Sequence, residues 1–93
     1  MGIIVTHDNL GTVNKNRVTI KKVGRYDEVT LYFSYQTIVA VRGSEGLKVA
    51  QNDWSNTTGK LLNELEADKK LRVPHSEVVA YSERELNRIT RGV

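Results

Sequence analysis

The sequence contains no cysteine, a single proline and no long hydrophobic run. Without cysteine neither a disulfide nor a thiolate metal site can form, so packing alone must hold the fold, as suits a reducing compartment. The longest apolar runs, Ile3–Val5 and Ile38–Val41, fall far short of the roughly 20 residues of a membrane span. The N-terminus also lacks the basic flank and apolar core of a signal peptide. No membrane association and a cytoplasmic location are therefore expected. Histidine is scarce: His7 and His75 stand far apart, with no neighbour at metal-ligand spacing, so no metal and no cofactor are expected. Excess charge is small as well. Fourteen Lys and Arg against 11 Asp and Glu give a net charge of +3, which permits a nucleic-acid partner without requiring one. A chain of 93 residues makes one domain, residues 1–93, with a single small core.

What is present is dominated by Val29–Arg42, fourteen residues free of proline, glycine and acidic side chains. Val29, Leu31, Phe33, Tyr35, Thr37, Val39 and Val41 alternate with Thr30, Tyr32, Ser34 and Gln36, the period of a strand with one buried face. From Ile38 the other face turns apolar too, as expected of a central strand covered on both sides. Upstream, Gly2–Thr6 reads as a short strand closed by the turn-prone His7-Asp8-Asn9. Asn14–Arg25 carries five cations and no carboxylate. It reads as a strand burying Val18 and Ile20 and showing Arg17, Thr19 and Lys21 to solvent, with Gly24–Glu28 as the turn of an antiparallel hairpin.

Downstream, Gly43-Ser44-Glu45-Gly46 marks a turn, and Leu47–Gln51 resumes the alternation. Placing Leu47 and Val49 on the face of Val41 and Val39 pairs Val41 with Leu47 and Val39 with Val49, around a three-residue loop. Next, Asn52–Lys60 is dense in helix-capping residues. With Ser55 or Asp53 as N-cap, a helix to about Asp68 sets Trp54, Thr58, Leu61, Leu62 and Leu65 in one stripe. Gly59 inside it points to close approach of a neighbour, packing on the sheet being the commoner case. Lys69–Val73 fits a short edge strand broken by Pro74. Ser76–Thr90 partitions as one helix with Val78, Val79, Ser82, Leu86 and Ile89 inside, Tyr81 at the margin and Gly92 as C-terminal cap. A strand followed by a helix is the alternative for that segment. The sum is an α+β fold: an antiparallel sheet of three to five strands with two amphipathic helices packed on one face. The expected core is Phe33, Tyr35, Val39, Val41, Trp54, Leu61, Leu65, Leu86 and Ile89.

Ser34-Tyr35-Gln36-Thr37-Ile38-Val39-Ala40 followed by Trp54-Ser55-Asn56-Thr57-Thr58-Gly59-Lys60-Leu61-Leu62-Asn63 resembles a family of small uncharacterised proteins of phages, archaeal viruses and prokaryotic genomes. Its members carry an SYxTxVA strand and a WSxTTxKHLN segment. The resemblance implies a viral or mobile-element origin, hence the host cell's cytoplasm, and no settled activity. Leu61 stands where that family tends to have histidine, so no role carried by that imidazole transfers.

No catalytic arrangement emerges. Thr58-Gly59-Lys60 lacks the upstream glycine and the following hydroxyl residue of a phosphate-binding loop. Asp27 and Glu28 are adjacent turn carboxylates that project apart, and neither Ser34 nor Ser55 has a histidine nearby to activate it. A non-enzymatic interaction protein is expected, binding another protein such as a host or defence factor, or associating with itself. A module for single-stranded nucleic acid is the alternative. Its surface would be Arg17, Lys21, Tyr32, Ser34 and Gln36 on the sheet, where a base stacks on tyrosine and cations follow phosphates. Arg84, Arg88 and Arg91 form a second, co-facial stripe on the last helix.

Overall fold

The computed structural model describes residues 2–11, 14–24, 27–52 and 56–91. Five strands, β1 (Ile3–Asn9), β2 (Lys15–Lys22), β3 (Glu28–Ser34), β4 (Thr37–Gly43) and β5 (Gly46–Val49), form one antiparallel sheet in chain order. Two helices follow, α1 (Asn56–Leu65) and α2 (His75–Thr90). The fold is α+β, as a run of period-two segments followed by period-3.6 segments foretells. Trp54 and both proposed N-caps, Asp53 and Ser55, lie outside the described residues, as does Gly92.

The β2–β3 hairpin has the expected register. Val18 faces Leu31 and Ile20 faces Val29, while Arg17 faces Tyr32, Thr19 faces Thr30 and Lys21 faces Glu28 on the other side. The single strand expected over Val29–Arg42 is instead two, folded back at Tyr35–Gln36. Ser34 pairs with Thr37 and Phe33 with Ile38, then Tyr32 with Ala40, which leaves Val39 as a bulge. Tyr35 carries the turn at φ 56°, a left-handed conformation that glycine or asparagine adopts at less cost. A positive φ at only the first turn residue matches a type II′ hairpin. The alternation survives the fold-back because the two arms face each other, but the bulge shifts its phase, so Val39 and Ala40 share a cluster.

The two helices lie against opposite faces of the sheet, not on one. Val29, Leu31 and Val41, with Ile20, Phe33 and Ile38 alongside, pack with Val78, Tyr81, Ile89 and Leu86 of α2. Tyr32, Val39, Ala40 and Val49, with Leu47 alongside, pack with Leu61, Leu62 and Leu65 of α1. Leu31 and Tyr32 are neighbours in one strand, and neighbours in a strand point to opposite faces. Two-sided cover also corrects the β4–β5 register. Arg42 faces Leu47, Val41 faces Lys48 and Ala40 faces Val49 across a two-residue turn. That phase would expose Leu47 and Val49 on a sheet covered on one side. Here it delivers them to α1.

After α1 the chain forms a 3-10 helix over Lys69–Leu71, where an edge strand was expected. The side chain of Asp68 caps it by accepting from the Lys70 N–H. Only Val73 reaches the sheet, bridging Ala50 in parallel: its N–H donates to Val49 O, and its carbonyl accepts from Gln51 N–H. Pro74 then starts α2 as one helix, which settles the choice left open in the sequence. Tyr81 is wholly buried rather than marginal. Its hydroxyl donates to Gly46 O at 2.7 Å and accepts from the Glu45 N–H at 3.0 Å, tying α2 to the β4–β5 turn. Burial pushes the phenol upward from its ordinary pKa.

Candidate interaction surface

The cationic sheet face expected from Arg17, Lys21 and Tyr32 exists as a shallow concavity of about 360 Å³ lined by residues of β1 to β4, Arg42 among them. Its chemistry differs from the expectation. Arg17 is engaged by Asp8 at 3.3 Å and Lys21 by Glu28 at 3.6 Å. Tyr32 is only 8% exposed because its ring packs in the α1 cluster, so it offers no stacking platform. Ser34 is buried too, its hydroxyl sharing a hydrogen bond with Thr58 Oγ1 at 2.7 Å. Gln36 and Tyr35 stand exposed at the hairpin tip, and Tyr35, expected in the core, is 57% exposed. Of the remaining expected core, Val39, Val41, Leu61 and Ile89 are buried, and Phe33, Leu65 and Leu86 pack partly buried against the two clusters.

The arginine stripe on α2 is also committed to structure. Arg88 Nη1 donates to both oxygens of Asp27, at 2.8 and 2.7 Å, and Arg88 Nε donates to Glu85 Oε2 at 3.0 Å. Arg84 reaches Glu45 at 3.4 Å, and Arg91 lies exposed at the end of the helix. Glu85 is 3% exposed. Its carboxylate accepts from the Ser44 N–H and, at 3.0 Å, from the Ser44 hydroxyl. Burial pushes the Glu85 carboxyl up, but the hydrogen bonds from Arg88 and Ser44 overcome it and leave the group below the usual glutamate range. For Arg88, the Asp27 carboxylate first and then Glu85 hold the guanidinium charged still more firmly than usual. Asp27 is thus no free turn carboxylate. Nothing in sequence spacing joins residues 27, 44, 85 and 88; three separate elements bring them together.

The histidines are likewise occupied. The His7 ring shares a hydrogen bond with Asn16 Oδ1 at 2.7 Å, and His75 Nε2 donates to Ile38 O at 3.0 Å. Among the described residues, no three His, Cys, Asp or Glu side chains converge as a metal site.

The least satisfied element is β1. It is an edge strand of the sheet, and every residue from Ile3 to Asn9 is exposed. Ile4 is 51% and Val5 58% exposed. Its backbone phase follows from the ends of the pairing: Val23 N–H donates to Gly2 O, and Leu10 N–H donates to Lys15 O. In an antiparallel ladder alternate residues bond across the pair, so Ile4, Thr6 and Asp8 bond to β2. Ile3, Val5, His7 and Asn9 turn their N–H and C=O groups outward. The run Ile3-Ile4-Val5 marks the strand in the sequence; that it is an edge shows only in the sheet order.

A five-stranded antiparallel meander held between two helices defines an α+β domain. The chain belongs to a family of unknown function, DUF8033, whose pattern matches residues 5–80. No curated protein and no solved structure matches it. Among the described residues, no helix is long and apolar enough to cross a membrane.

Proposed function

We propose that this chain is a small non-enzymatic interaction protein that associates with a second copy of itself through the open edge of β1. The observation that carries the reading is the exposure of Ile3, Ile4 and Val5 on a strand whose outward backbone groups belong to alternate residues. Proteins normally blunt such edges with charge, proline or cover. Here the apolar half is bare, and the strand is self-complementary. A two-fold axis at Val5 sets Val5 against Val5 and Ile3 against His7 of the copy, forming roughly six backbone hydrogen bonds in one ten-stranded sheet. The area covered is small, so micromolar affinity is expected.

The reading is supported further by the pairing of Arg17 and Lys21 with carboxylates and the burial of Tyr32, which weaken the nucleic-acid alternative. A viral or mobile-element origin, implied by the motif resemblance, fits a factor whose work is association; a host or defence protein donating its own strand is the competing occupant of this edge.

Sedimentation across a concentration series tests the proposal. The wild-type chain should dimerise, more tightly as salt screens the net charge of +3 on each copy, whereas nucleic-acid binding weakens with salt. Val5→Pro removes an outward N–H without touching the β1–β2 ladder, and should give a folded monomer. A wild-type chain that stays monomeric at high concentration, or a Val5→Pro variant that dimerises as before, would sink the proposal.

A further inference from the structure

Away from β1, a solvent-open cavity of about 640 Å³ lies between the segment after β5, α1 and the 3-10 turn. Its described lining holds three cations, Lys60, Lys69 and Arg72, and three amides, Gln51, Asn52 and Asn63, with no carboxylate among them. From these residues we infer that the cavity is a binding site for a phosphate-bearing small molecule of mononucleotide size.

Arg72 carries most of the argument. It is 6% exposed, yet its guanidinium meets only neutral acceptors: Nε donates to Glu66 O at 3.0 Å and Nη2 donates to Asn63 Oδ1. Among the described residues neither it nor Lys60 nor Lys69 has an ion-pair partner. Arg17, Lys21, Lys48, Arg84 and Arg88 each have a carboxylate in reach, whereas here three cations without one line a single cavity. A buried charge without a counter-charge is costly, and an arriving anion relieves that cost. The guanidinium retains Nη1 for a forked contact with phosphate oxygens, and two lysines at the rim add point charge.

The amides give the site its second half. Arginine only donates, so Asn63 must accept through its oxygen, which leaves its NH₂ as a donor. Gly59 explains itself at the same place. A Cβ there would lie 2.8 Å from Asn52 Nδ2, so the glycine expected to admit a strand or partner in fact lets the Asn52 amide lie against α1. The volume falls within the 300–1,000 Å³ typical of small-molecule sites and exceeds the needs of inorganic phosphate. Asparagine and glutamine amides match the donor and acceptor edges of a nucleobase or ribose.

Titration of the ¹⁵N-labelled full chain with the four nucleoside monophosphates, and separately with inorganic phosphate, tests the inference. At least one nucleotide should give saturable shifts confined to residues 51–52, 59–63 and 69–72, with Kd below about 1 mM, and phosphate alone should bind about tenfold more weakly. The double variant Lys60→Gln/Lys69→Gln changes two exposed side chains, should keep the wild-type unfolding midpoint, and should lose about tenfold in affinity. Arg72→Lys should bind more weakly as well, and if that variant fails to fold the lysine pair still decides. The inference is overturned if no nucleotide or phosphate shifts these amides at about 10 mM, if the double variant binds as tightly as wild type, or if a short oligonucleotide binds the same amides more tightly than any mononucleotide.

Discussion

Gly43→Ala probes the joint between α2 and the β4–β5 turn. A Cβ on Gly43 would fall 2.7 Å from Cδ and 2.8 Å from Cγ of Glu85, inside van der Waals contact, so the carboxylate has to withdraw. It would leave the N–H and hydroxyl of Ser44 and Nε of Arg88. Hydrogen bonds to a charged group contribute about 1.5–3 kcal/mol each, but much of that returns, because Ser44 is exposed to water and Arg88 keeps both bonds to Asp27. A net loss of about 2–3 kcal/mol remains. The backbone gives back roughly 0.4–1 kcal/mol, since Gly43 lies outside the positive-φ glycines and alanine restricts the unfolded chain. About 2 kcal/mol of destabilisation is therefore expected, or roughly 8–16 °C in Tm. Urea unfolding followed by circular dichroism measures it. The sharper test is the cycle with Glu85→Ala, which removes the same bonds. The double variant should be only about 0.5 kcal/mol worse than either single one, because the clash has no partner left. Additive losses, or a neutral Gly43→Ala, would show that Glu85 does not hold this turn.

Three further outcomes are expected. Tyr81→Phe keeps the buried ring but strips Gly46 O and the Glu45 N–H of their partner; at a partly hydrated turn this should cost about 1 kcal/mol, with an unchanged m-value in urea. A depressed Glu85 pKa means its contribution is complete above about pH 4.3, the ordinary glutamate value, and is lost as pH falls through its lower folded value; acid titration of stability should therefore show a deficit there that Glu85→Gln lacks. Tyr35→Gly relaxes the left-handed turn residue, whose exposed side chain leaves little packing to lose, and should be neutral or stabilising by up to about 1 kcal/mol; a loss beyond about 1 kcal/mol would mean the tyrosine packs.

Local periodicity carries its information within a single element, and that is the part of this protein its sequence settles alone. The period-two runs mark the strands, and the β2–β3 hairpin takes its expected register, Val18 and Ile20 alternating with Arg17 and Thr19 although all four are only half-buried. The fold-back at Tyr35–Gln36 stayed hidden because neither residue is a customary turn former, and because a hairpin repeats the same alternation on both of its arms. Which face each helix covers was decided by tertiary packing alone. An apolar side chain at Leu47 or Val49 looks the same whether α1 or α2 lies above it, and only the two-sided cover makes the observed register favourable. The same holds for the surfaces. Arg17, Lys21, Arg84 and Arg88 read as available cations until folding brings Asp8, Glu28, Glu45 and Asp27 beside them, while Arg72 lost its solvent without gaining a counter-charge. Charge neutralisation and edge exposure depend on distances between residues remote in the chain, and those distances exist only once the chain has folded.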